Sequence, residues 1–125
     1  MRLLLDTHAL IWWLEDSPEL SSQARDLIAD GSNEVVVSAA SAWEMSIKEA
    51  AGKLRVPANL DAALDVGGLA PLPITVDHAL KAGSLPAHHR DPFDRMLLAQ
   101  ALIEGLTIVT RDSRFKPYGV LVVDA

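Results

Sequence analysis

Residues 91–112, DPFDRMLLAQALIEGLTIVTRD, contain one complete helix-to-strand step, and their reading decides the fold. Asp91 can accept backbone N–H groups at a helix start, and Pro92 suits the first turn, where a missing N–H leaves no bond unmade. The spacing predicts a helix over 92–104 that stops at Gly105. Thr107-Ile108-Val109, three β-branched residues, then reads as a short strand. Two acids mark this unit: Asp94 in the first turn of the helix, and Asp112 just past the strand.

The same alternation runs outward in both directions. Upstream, 2–5 is an apolar run ending at Asp6 and 9–14 is a helical stretch containing Trp12 and Trp13; Ser17-Pro18 then breaks the chain. Leu20, Ala24, Leu27 and Ile28 recur at helical spacing before Gly31, and Val35-Val36-Val37 is too short for a helix and too apolar for a loop. A helix is expected over 41–51, stopped by Gly52, and another over 60–66. Residues 69–74 hold two prolines and suit an edge strand rather than a central one. A short helix over 76–82 precedes a loop over 85–90, and a turn over 111–118 leads to a last strand over 120–123. Strands alternating with helices imply an α/β fold, a three-layer α/β/α sandwich around a central parallel sheet of four to five strands. The whole chain, 1–125, is expected to form one domain.

Composition narrows the function. The chain has 125 residues, half of them apolar, with 11 basic and 17 acidic side chains and no cysteine. Disulfides, thiolate catalysis and cysteine-ligated zinc are therefore excluded. No apolar stretch approaches the ~20 residues of a membrane span, and Asp6 and His8 interrupt the first apolar run before a signal-type region could form, so a cytoplasmic protein that does not engage a membrane is expected. A net charge of −6 repels phosphate backbones on average. An acidic protein can still process nucleic acid where its carboxylates hold divalent cations, so the placement of the acids matters more than their number.

In a parallel sheet, ligands collect outside the carboxyl ends of the strands. Asp6 and Asp112 follow strands, Glu44 lies about one turn beyond the second strand, and Asp94 begins the helix that leads into the fourth. Each has an ordinary explanation as well: Asp6 and Asp112 can cap helices, Ser41-Ala42-Trp43-Glu44 matches a capping box, and the helix dipole favours an anion at Asp94. Four carboxylates in one cleft would raise one another's pKa unless a cation neutralised them, and hard oxygen donors suit Mg²⁺ or Mn²⁺, one or two ions. Such a cluster fits phosphodiester hydrolysis. Thr7, Ser38 and Thr110 are candidates to orient the carboxylates, since short hydroxyls at strand ends can do so.

Arg90, Arg95, Arg111, Arg114 and Lys116 concentrate positive charge near the proposed cleft and could form a phosphate-guiding rim, with Arg95 and Arg111 beside candidate ligands. Lys48, one turn past Glu44, suits either substrate binding or a surface ion pair. His88 and His89 lack a partner at metal-ligand spacing and read as exposed bystanders. His8 reads as a packed first-turn residue, and Trp12, Trp13 and Trp43 as core or interface residues.

The segments MRLLLDTH (1–8), SAWE (41–44), DPFDRMLLAQA (91–101) and VTRD (109–112) together resemble PIN-domain proteins, in particular VapC-type toxins of toxin–antitoxin pairs, over almost the whole chain. The resemblance implies a PIN-like fold and a metal-dependent endoribonuclease cutting RNA. It places Asp6, Glu44 and Asp94 in the acidic core, Asp112 as a fourth and more variable member, and Asp91 as a cap or outer group. It further implies a homodimer and a cognate antitoxin that covers the cleft.

Two other readings compete. A phosphoacceptor receiver domain has similar length, acidity and sheet, and Lys116-Pro117 resembles its terminal lysine. It should, however, carry adjacent acids after the first strand and an acceptor aspartate after a central one, whereas Asp6 stands alone and Ser38 follows Val37. A catalytically silent PIN-fold binding protein is the other, and the presence of all four acids weighs against it.

Overall fold

Strand β1 (Arg2–Leu5) carries three consecutive leucines with no exposed surface, because both faces of the sheet are covered. The computed structural model describes residues 1–125. Next come α1 (Thr7–Leu14), α2 (Ser22–Ala29), β2 (Glu34–Ser38), α3 (Ala39–Ala50), α4 (Leu60–Val66) and β3 (Leu69–Leu72). They are followed by α5 (Val76–Ser84), α6 (Pro92–Glu104), β4 (Thr107–Thr110), a 3₁₀ helix (Ser113–Tyr118) and β5 (Val122–Asp124). The five strands pair in parallel in the order β3-β2-β1-β4-β5. A receiver domain would need the order 2-1-3-4-5, so that alternative is excluded.

Side chains alternate across the sheet and build two cores. Leu3, Leu5, Val35, Val37 and Val109 pack with Ala9 and Leu10 of α1, Ala24 and Ile28 of α2, Met45 of α3 and Leu64 of α4. On the other face Leu4, Val36 and Ile108 meet Ala82 of α5, Leu97, Leu98 and Ala101 of α6, and Phe115. β3 is an edge strand, which suits Pro71 within it and Pro73 just after it. No helix is long and apolar enough to cross a membrane.

The chain leaves β1 toward one face through α1 and returns from the edge strand β3 to β4, on the other side of β1, along the opposite face. β1 and β4 are therefore neighbours whose onward connections diverge, and this divergence opens a crevice at their carboxyl ends.

Local chemistry sets the boundaries. Asp91 accepts Phe93 N–H at 2.8 Å and Asp94 N–H at 3.0 Å, with Pro92 opening α6. Gly105 ends the helix in the left-handed region, φ 69°. One local expectation needs correction: α3 starts at Ala39, capped by Ser38, so Ser41 and Glu44 do not form a capping box. The run is longer because Ser38 follows β2 directly and its hydroxyl accepts Ala40 N–H at 3.0 Å.

A Cβ on Gly105 would meet no atom within 4 Å, so a substitution there costs only backbone strain. Gly105→Ala is expected to lower the unfolding free energy by about 1 kcal/mol and Gly105→Asn by less, read from urea denaturation midpoints.

Candidate active site

Asp6 caps α1 from the end of β1, and its side chain is the most enclosed acid in the crevice, 6% exposed. Its Oδ1 accepts Ala9 N–H at 2.7 Å, and its Oδ2 accepts the Thr110 hydroxyl at 2.6 Å from the end of β4. Thr110 Oγ1 in turn accepts Asp112 N–H at 3.1 Å. From α1, Thr7 Oγ1 donates to Glu44 Oε1 at 2.6 Å, while Glu44 Oε2 lies 3.1 Å from Lys48 Nζ one turn along α3. Asp91 and Asp94 enter at the first turn of α6, and Asp112 caps the 3₁₀ helix by accepting Arg114 N–H at 2.9 Å. Asp6, Glu44, Asp91, Asp94 and Asp112 thus line one cavity of about 240 Å³, together with Lys48, Arg111 and Arg114.

The crowding is visible in the acidities. Burial raises the Asp6 carboxyl above its ordinary value, and the charge of Asp112 adds to this, against the lowering effect of the Thr110 and Ala9 hydrogen bonds and of His8. Asp94 is pushed up to about 7, first by loss of solvent and then by the charges of Asp91, Asp6, Glu44 and Asp112. Asp112 moves the other way, to about 2, chiefly because the Arg114 side chain donates to it. Arg114 spans both Asp112 oxygens, with Nη2 2.8 Å from Oδ2 and Nε 3.0 Å from Oδ1.

This donor set suits a hard divalent cation. It offers several carboxylate oxygens and no sulfur, and no Lys or Arg pairs with Asp94, which four neighbouring acids oppose. Asp6, Glu44, Asp94 and Asp112 are the residues that could hold the ion. His89, Asp94 and Asp112 also bring ligand-type atoms within 4.8 Å of one another.

His89 is the residue that sequence reasoning missed. Rather than being exposed, it is 1% exposed and packs edge-on against Phe115 at 5.5 Å. Its Nε2 lies 3.0 Å from Asp94 Oδ2 and 3.1 Å from Asp112 Oδ2. The contact with Asp112 has hydrogen-bond geometry. No local spacing could have signalled this, because Phe115 and Asp112 are more than twenty residues away in the chain. His88 is exposed and rests against Tyr118.

Several other expectations need correction. Arg95 does not face the cavity: it donates to the carbonyls of Ala82, Leu85, Pro86 and His89, tying down the 82–89 turn. Ser38 is fully buried as the cap of α3 and does not line the cavity. Arg90, Arg95 and Lys116 do not line it either, so the five-cation rim reduces there to Arg111 and Arg114, joined by Lys48. Arg111 is also held outside it, by Glu19 and the Ala125 carbonyl, with its guanidinium 4.4 Å from the Trp12 ring centre. His8 is exposed, not packed, and stacks on Trp12 at the cavity wall. Trp43 is 62% exposed and meets only the edge of Phe93 among aromatic rings.

A doubly wound parallel domain with a carboxylate-lined crevice at its topological switch point is the class that fold and site define. The chain belongs to the PIN domain family, whose model matches residues 3–121. It is 29% identical over 119 residues to Ribonuclease VapC22 of Mycobacterium tuberculosis, covering 93% of this chain and 91% of that protein. Among solved structures it is similar to a chain of the VapBC2 complex from Rickettsia felis bound to a promoter DNA fragment (TM-score 0.72, 17% identity, 98% of each chain). It is also similar to one from DNA-bound VapBC of Salmonella typhimurium (TM-score 0.69, 20% identity, 99% and 98% of the two chains). At these identities the structural likeness establishes the fold.

The raised acidity constant has a definite sign. Asp94 binds its proton with a pKa of about 7 in the folded chain against an ordinary 3.8, so protonation stabilises the fold at low pH and that contribution is lost as pH rises through 7. Metal-free Asp94→Asn is therefore expected to melt above the parent at about pH 8, with the gap closing toward about pH 4, in thermal unfolding across pH. An equal melting difference at all pH values would place the destabilisation elsewhere.

Proposed function

We propose that this protein is a divalent-metal-dependent endoribonuclease and the toxin of a toxin–antitoxin pair. The observation that carries the reading is the convergence of Asp6, Glu44, Asp94 and Asp112 on one cavity, with Asp94 crowded by four like charges and paired with no Lys or Arg. The relative from Mycobacterium tuberculosis is named a ribonuclease, which supports RNA as substrate. The VapBC complexes of like fold support a protein antitoxin as partner. A homodimer and a cytoplasmic site of action belong to the same proposal.

Each side chain has a defined task. Asp6, Glu44, Asp94 and Asp112 would hold Mg²⁺ or Mn²⁺, as one or two ions. When bound, the ion supplies neutralisation of phosphate charge and Lewis-acid activation of water. Thr110 fixes one oxygen of Asp6 and Thr7 fixes one of Glu44, so neither carboxylate rotates freely. Asp91 holds the first turn of α6, and with it the backbone that presents Asp94. Lys48, Arg111 and Arg114 stand at the cavity wall, where a phosphodiester chain would meet them. All three are already paired with acids, so substrate must compete for them.

Purified protein is expected to cleave structured RNA with Mg²⁺ or Mn²⁺ and not with EDTA. Asp6→Asn and Asp94→Asn should each lower the rate by about a hundredfold or more. Metal-independent cleavage, or full activity in these variants, overturns the reading.

The basic residues separate in a second assay. Arg114→Ala should weaken RNA binding and reduce the salt slope by about one counterion, whereas Arg95→Ala should leave that slope as in the parent and instead lower the melting temperature. Binding measured at several salt concentrations decides between them.

A further inference from the structure

We propose that His89 is a positioning residue that, from behind the cleft, holds Asp112 through its Nε2–H and packs that nitrogen against Asp94, without being a ligand itself. The proposal rests on the metal-dependent reading above and adds a residue to it. Three observations carry it.

The first is the tautomer. His89 Nδ1 accepts the backbone N–H of Asp91 at 3.2 Å, so in the neutral ring the hydrogen sits on Nε2. Direct coordination through Nε2 would require that hydrogen to move to Nδ1, where it would face the Asp91 N–H, donor against donor. The triad of His89, Asp94 and Asp112, whose atoms lie close enough for a shared ion, is thereby resolved as a donor bonded to Asp112 with Asp94 beside it.

The second is placement. The ring lies between two carboxylates supplied by different elements, α6 and the 3₁₀ helix, at 3.0 and 3.1 Å. The two carboxylates therefore meet at one polar nitrogen. It is hydrogen-bonded to Asp112 Oδ2, while Asp94 Oδ2 lies 3.0 Å from the same nitrogen and Asp94 Oδ1 accepts no protein hydrogen bond. A buried N–H fixing one oxygen of an ion-holding carboxylate is the usual way an outer residue orients a ligand.

The third is that the ring cannot drift. It is 1% exposed and set edge-on against Phe115, its own backbone N–H donates to Tyr118 Oη at 2.7 Å, and its carbonyl accepts Arg95 Nη1 at 3.1 Å. Arg95 thus acts on the site indirectly, by holding the turn that holds His89.

The test compares His89→Phe, which keeps an aromatic ring against Phe115 but has no donor, with His89→Gln, whose amide N–H can occupy the Nε2 position. Mn²⁺ binding is measured by calorimetry on each full-length protein, alongside kcat and KM for RNA cleavage. In His89→Phe, Mn²⁺ should bind about ten- to a hundredfold more weakly, with kcat reduced and KM for RNA nearly unchanged; His89→Gln should recover most of the affinity.

Imidazole ¹⁵N spectra of the parent, without metal and with Mg²⁺, should show the Nε2–H tautomer in both states. This measurement does not depend on any variant folding. Mn²⁺ affinity retained in folded His89→Phe, or an imidazole nitrogen coupled directly to bound Mn²⁺ in the parent, overturns the positioning role while leaving the nuclease reading intact. A parent that takes up no divalent cation overturns both.

Discussion

Mutual repulsion among carboxylates gathered at the ends of β1 and β4 is the constraint to which the rest of the site answers. Asp6 is almost fully enclosed and Asp94 is surrounded by four other acids, an arrangement that solvent cannot relieve. The fold answers with helix N-termini: Asp6 opens α1, Asp91 and Asp94 open α6, and Asp112 opens the 3₁₀ helix. Each carboxylate thereby meets backbone N–H groups or the positive end of a helix. The ordinary reading of these acids as caps and the functional reading as a cation site therefore describe the same atoms.

The basic residues divide according to what they touch. Arg95, at the start of α6, spends its donors on four carbonyls of the 82–89 segment before that helix. Arg114 instead leans on Asp112 with a largely exposed side chain, and its guanidinium holds that carboxyl well below the ordinary range. The same residue type thus supports a turn in one place and tunes an acid in another. A charge count near the cleft could not separate these roles, because the direction of a long side chain depends on which unsatisfied acceptors the fold leaves within reach.

The architecture was legible where local chemistry is strict. Asp91-Pro92 and Gly105 bracket α6, Pro71 in β3 and Pro73 just beyond it suit the edge position, and the unbroken apolar runs of β1 and β2 require cover on both faces. The acids were legible because strand order brings strand ends together whatever the intervening loops do. His89 was not, since its role comes from a ring turned toward partners in two other segments and locked by Phe115. Ser38 was misplaced for a simpler reason: a hydroxyl directly after a strand can cap the next helix or face the cleft, and here the Ala40 N–H takes it.

The hydrogen bond between Thr110 and Asp6 joins positions 104 residues apart. β1 lies at the middle of the sheet and cannot gain its β4 neighbour until the chain has been made through Thr110. A growing chain that has not yet reached β4 therefore has no assembled cleft, however well its first half has folded. The pocket is a property of the closed sheet and of no shorter piece of it.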